Sequence, residues 1–214
     1  MSALLAVVVG VFVLCSLASA HQGDAFIGAG TLLSSSTPSS GTAIPGTNCS
    51  TDSNGGVLCP EKGGTYLNIG ADVIFRKRIG AGFDVNWKAS QGAFGGQVPY
   101  RPILVDFNAV YQPRLGKKAG LDLFGGIGWQ STRLYSGNYQ CSYFSCTNFV
   151  SSHHFLMDVG GGIRYYIWGH MFIRPEARFY HIVNNTDTGK TGIGFTSNNV
   201  FHVGGSIGYT IGPE

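Results

Sequence analysis

The chain has 214 residues, enough for one domain, with 43% hydrophobic and only 12% charged residues. That is apolar for a soluble domain and too regular in pattern for a disordered one. A dispersed formal charge of +3, without basic and aromatic residues interleaved, excludes a nucleic-acid partner. Glycine, at 33 residues, has no collagen-like period.

Leu4 to Leu17 is a long apolar run, and Ala18-Ser19-Ala20 supplies the small residues that a signal peptidase reads. The expectation is a signal peptide over 1–20, cleaved before His21, and a mature domain over 21–214. The run is shorter than the ~20 residues a spanning helix needs. Cys15 follows Phe12-Val13-Leu14, which lacks the small residues of a lipoprotein cleavage site.

The mature chain keeps Cys49, Cys59, Cys141 and Cys146. An even number in an exported protein indicates disulfides, with three connectivities open. Local pairing, Cys49 with Cys59 and Cys141 with Cys146, is expected because each pair sits within one loop. Their spacing is not that of a zinc site.

From Phe26 onward the chain alternates with a period of two, the signature of strands with two unlike faces. A weaker, glycine-spaced strand over Phe26–Leu33 comes first. Leu67, Ile69, Ala71, Val73 and Phe75 then alternate with Asn68, Gly70 and Asp72. Across the charged turn Arg76-Lys77-Arg78, Ile79 to Trp87 alternate with Asp84, Asn86 and Lys88, which predicts a hairpin. Further strands centre on Ile103–Tyr111, Leu121–Gln130, His154–Tyr165, Ile173–Phe179 and Phe201–Ile211. Long polar connections at 34–64, 90–100, 134–152 and 183–198 alternate with short turns near 76–78, 112–119 and 167–170. Eight strands of about 10 residues with that rhythm predict an all-β fold, an eight-stranded antiparallel up-and-down transmembrane β-barrel. The long loops then face outside and the short turns the periplasm.

The polar face carries Asp72, Asp84, Asp106, Asp122, Asp158, Arg164, Arg174, Glu176 and Arg178, with Lys88. In a soluble barrel this face would look outward, and large apolar residues from all strands would overfill an interior with room for one layer of side chains. Turned inside out, the apolar face meets lipid and the closed sheet leaves no backbone group unpaired. Trp87, Tyr111, Trp129, Tyr165, Phe179 and Tyr209 fall near strand ends, at headgroup level. The inward charges are expected to pair across the lumen, since an unpaired one costs several kcal/mol.

Three segments carry a resemblance: Gly160-Gly161-Gly162-Ile163-Arg164-Tyr165, Ile173-Arg174-Pro175-Glu176-Ala177-Arg178-Phe179 and His202-Val203-Gly204-Gly205-Ser206-Ile207-Gly208-Tyr209. With them, residues 23–212 resemble the small outer-membrane β-barrel superfamily of the OmpA transmembrane domain, OmpX-like and opacity-type proteins. The last segment is similar to that family's C-terminal assembly signal. The resemblance implies a fold rather than an activity.

Candidates for chemistry are few. His154 and His202 share the inward parity, with His181 and His153 nearby, but strands six and eight are not neighbours, so no metal is expected. Deacylase barrels of this membrane carry His-x-Ser, and no histidine here is followed by Ser at that spacing. Gly160-Gly161-Gly162 lies within a strand and cannot be a phosphate-cradling loop. The resulting expectation is a non-enzymatic protein of the bacterial outer membrane, without cofactor, a scaffold whose loops meet an extracellular ligand or surface. Its other partners are membrane lipids, lipopolysaccharide and the outer-membrane assembly machinery. A small ion channel is the alternative, and a lipid-modifying enzyme a weaker one. The first loop, 34–64, is expected to bury almost no apolar surface and to be ordered only where Cys49 and Cys59 close it.

Overall fold

The computed structural model describes residues 22–35, 42–75, 78–94, 98–141, 146–186 and 192–212, with backbone alone at 136–141 and 146–147. The signal-peptide segment 1–20 lies outside the described residues. The barrel strands are β1 (Gln22–Ser34), β2 (Tyr66–Ile74), β3 (Ile79–Lys88), β4 (Val98–Tyr111), β5 (Ala119–Cys141), β6 (Cys146–Trp168), β7 (Met171–Ile182) and β8 (Asn199–Ile211). Each pairs antiparallel with its neighbours in sequence. β1 pairs with β8 from Gly23↔Ile211 to Ser34↔Val200, which closes the cylinder. A closed sheet has no edge and leaves every ladder hydrogen bond internal.

Alternation decides which side each residue faces. Along β2 the buried positions are Tyr66, Asn68, Gly70, Asp72 and Ile74, and Leu67, Ile69, Ala71 and Val73 point outward. The outer wall is apolar across its middle: Ile27, Phe107, Ile127, Val159 and Ile163 are each more than half exposed. Tyr111, Tyr165 and Tyr209 ring one end of this wall, and Trp129, Phe155 and Phe201 stand towards the other. At the short-turn end Phe75 donates to Ile79 O, with Arg76 and Lys77 of the expected turn outside the described residues, and Gly169 has a φ of +51° that suits a residue without Cβ.

The ends of the strands differ from the sequence expectation in four places. β1 begins at Gln22, four residues earlier than the glycine spacing indicated, because Gly23 and Asp24 already pair with both β8 and β2. The segment 134–152 is no loop over most of its length: β5 and β6 run 23 residues each and project beyond the other strands as a ribbon. Within 90–100, Gly92–Phe94 pairs back on Val98–Tyr100. The first and fourth loops are joined, as Thr42–Ala43, Ser50–Thr51 and Val57–Cys59 form a small sheet to which Ile193–Phe195 adds in parallel.

Candidate functional site

The lumen and the structure above it hold the buried polar chemistry. Three arginines from adjacent strands, Arg164 on β6 and Arg174 and Arg178 on β7, point inward and are at most 2% exposed. Towards the short-turn end, Arg164 pairs with Asp24 and, at 3.0 Å, with Asp122. Arg174 reaches Asp72 at 3.3 Å and Asp122 at 3.4 Å. One layer higher, Arg178 holds Asp84 at 2.9 Å and Asp106 at 3.0 Å. Glu176 joins the layers, 2.9 Å from Arg174 Nη2 and 3.5 Å from Arg178 Nε. Asn68 and Asn108 donate to Asp84. Asp158 lies on the same buried face but makes no ion pair among the described residues.

Each guanidinium also lies on an aromatic ring: Arg164 on Phe172 at 4.1 Å, Arg174 on Phe26 at 3.9 Å and Arg178 on Phe124 at 4.1 Å. Each ring sits where a glycine leaves space. A Cβ at Gly208 would strike Phe172, at Gly70 Phe26 and at Gly160 Phe124. Stacking of this kind stabilises a desolvated cation by about 2 kcal/mol, and it fills the cross-section that ion pairs alone would leave open.

Above the charged layers comes a largely apolar one. Leu32, Tyr66, Leu104, Leu156, Tyr180, Ile182 and Val200 point inward from six strands and pack into one cluster, each 0% exposed. Asn86 and Gln130, also 0% exposed, flank Leu104 in register on either side, and Asn86 donates to Tyr180 Oη at 3.2 Å, so the layer is close-packed rather than purely apolar.

Over that layer, on the long-loop side, the loops build a cap. Glu61, fully buried, accepts from Gln130 Nε2 of β5 at 2.7 Å and from Asn185 Nδ2 of the fourth loop at 3.4 Å. Burial pushes its carboxyl up to about 7, against the opposing effects of those two hydrogen bonds and of Lys88. The Cys49–Cys59 disulfide, as expected from the sequence, packs with Phe94, Tyr100, Leu134 and Phe195 into a second apolar core. This corrects the view of 34–64 as a segment that buries almost no apolar surface: Leu58 is 4% exposed, and Ile44 and Val57 pack against the same core. The start of that loop, 36–41, lies outside the described residues. Cys141 and Cys146 are register partners at the tip of the β5–β6 ribbon; their side chains lie outside those described.

The sequence reading missed Asp24, the three stacked phenylalanines and Glu61. Lys88, grouped there with the inward charges, stands at the outer end of β3 and donates to Tyr100 Oη at 3.2 Å. Of the histidines, His202 is buried on the inner face. His153 lies outward at the register of Ser131, and His181 pairs with Asn199 at 2.8 Å. His154 Nε2 contacts Ser152 Oγ. Among the described residues no three metal-ligating side chains converge.

A closed eight-stranded sheet with an apolar outer wall, aromatic residues at both rims and its charges inside defines a transmembrane β-barrel. Residues 4–204 match the family model described as outer membrane protein beta-barrel domain, and the chain belongs to that family, whose place is the bacterial outer membrane. Among solved structures it is similar to Neisserial surface protein A, with a TM-score of 0.53 and 11% identity, over 88% of this chain and 95% of that one. A major outer membrane protein of Thermus thermophilus gives the same TM-score and identity, over 89% of this chain and 99% of that one. At such identity the likeness is one of fold. No curated protein matches the chain.

Proposed function

We propose that the protein is a non-catalytic surface scaffold, whose barrel is an anchor and whose loop cap is the part that meets an extracellular ligand or surface. The observation that carries this reading is the pair of closed layers beneath the cap: guanidinium–phenylalanine stacks, then an apolar cluster at 0% exposure. A conduit needs continuous polar space, whereas this lumen is filled like a core. The cap, by contrast, is built: a disulfide, a second apolar core and a sheet drawn from two loops hold one shape in water. Such pre-ordering lowers the entropic cost of binding. Lipopolysaccharide is the proposed lipid partner of the outer wall. The assembly machinery is proposed to read β8, which carries the alternating outward Phe201, Val203, Ile207 and Tyr209.

The test is adherence of cells displaying the protein to immobilised matrix proteins and polysaccharides. A variant with residues 36–59 replaced by a glycine–serine linker should keep a folded, heat-modifiable barrel and lose adherence. Equal adherence of both proteins to every surface would remove the cap from the function.

A further inference from the structure

On the outer wall, β4, β5 and β6 place their side chains in level rows. The register sets Arg101 opposite Arg133 and Arg133 opposite Ser151; one step down it aligns Ile103, Ser131 and His153, and below that Val105, Trp129 and Phe155. All these positions share the outward parity of Phe107 and Ile127. The rows thus change from cationic and hydroxylic to aromatic within ~13 Å of strand, at ~3.3 Å per residue. They lie at the long-loop end, where Tyr100 and Leu134 on the inner side form the base of the cap. From Ile103 to Tyr111 the outward face of β4 is apolar, ~20 Å of height for strands tilted ~40°, close to the band of an outer-membrane barrel. Arg101 and Arg133 therefore stand just beyond the hydrocarbon, at the headgroups of the external leaflet.

Two arginines directly across a strand pair repel each other. Neither forms an ion pair with a described residue. Arg101 has its Nη2 3.4 Å from Ala89 O and its buried Nε without a hydrogen-bond partner; Arg133 lies 5.0 Å over the Phe149 ring. The described carboxylates are all elsewhere, in the lumenal network or, as Asp52 and Glu61, in the first loop. Below the pair, Phe107, Ile127, Trp129, His153 and Phe155 line an apolar groove of about 380 Å³.

We infer that this wall is a binding site for one phosphorylated glycolipid of the external leaflet. Its phosphate bridges Arg101 and Arg133, Ser131, Ser151 and His153 edge its sugar, and an acyl chain lies in the Trp129–Phe155 groove. An oxyanion between the two guanidiniums converts their repulsion into two charge-assisted, fork-shaped contacts. The site rests on the proposal that lipopolysaccharide is the lipid partner, and it is separate from the cap.

The test uses the full barrel refolded into phosphatidylcholine nanodiscs, with Trp87→Phe and Trp168→Phe leaving Trp129 as the reporter. Bis-phosphorylated lipid A should change its emission saturably. Affinity should fall about tenfold or more with dephosphorylated lipid A or with R101A/R133A, and R101K/R133K should lie between. Inorganic phosphate should have no effect. No saturable response to phosphorylated lipid A would overturn both the site and the proposed lipid partner. Undiminished affinity in the R101A/R133A protein would keep the partner and overturn the site. Equal affinity for dephosphorylated lipid A would overturn the phosphate bridge without any variant having to fold, and a matching response to inorganic phosphate would overturn the glycolipid as its source.

Discussion

Arg178 lies over Phe124 at 4.1 Å, and the ring fits only because Gly160 on β6 has no side chain to meet it. A Cβ at Gly160 would also stand 2.6 Å from Ala177 O and 2.9 Å from Arg178 Cγ, neither of them the free end of a flexible chain. Gly160→Val should therefore destabilise the barrel by about 1–3 kcal/mol through overpacking, read as a lower urea midpoint in vesicles. The same change at Gly125, which points outward and meets nothing closer than 3.5 Å, should leave the midpoint unchanged.

Removing the Cys49–Cys59 disulfide should leave the folded, heat-modifiable band intact, because the barrel ladder does not depend on it. The cap should loosen in two places at once. Val57–Cys59 pairs with Ile193–Phe195, so C49S/C59S should open new protease cuts in both the first and the fourth loops. Cuts confined to the first loop would show that the two loops are not one unit.

Glu61 gives the cap a pH dependence with a definite sign. Its carboxyl stands at about 7 in the folded cap against an ordinary 4.5, so the folded form binds more protons between those values. Cap stability is then greatest at acid pH and falls as pH rises from about 4.5 through about 7. Protection of the 42–64 amides from hydrogen exchange should decline over that range. Glu61→Gln, which keeps the Gln130 and Asn185 contacts within reach, should flatten the profile; an unchanged slope would mean that another group titrates.

Ser152 Oγ meets His154 Nε2, the reverse order of the His-x-Ser pair sought in the sequence. A non-catalytic scaffold predicts that Ser152→Ala leaves the lipid A mass spectrum of expressing cells identical to wild type. A deacylated species present with the wild-type protein and absent with the variant would make the protein an enzyme.

The faces of the strands were legible from alternation alone, because a period of two fixes side regardless of neighbours. What fills each side was less so. Leu104 and Leu156 carry the inward parity yet are apolar, and only the closure of the strands around one axis brings them together in one packed layer. Asp24 escaped because glycine and alanine weaken the alternation around Phe26. The β5–β6 ribbon has a loop-like composition rich in Ser, Asn and Tyr, since a hairpin standing in water needs no apolar face. Phe94, Tyr100 and Phe195 are single aromatics in separate loops or strand ends, and their cluster exists only in three dimensions.

The central claim, an anchor with a filled lumen, is tested most directly by planar-bilayer recording of the refolded protein. Wild type should insert without steady conductance steps, because the Arg164, Arg174 and Arg178 stacks and the Leu104–Leu156 layer close the path. Reproducible steps that scale with the amount of inserted protein would contradict the account and make the barrel a channel.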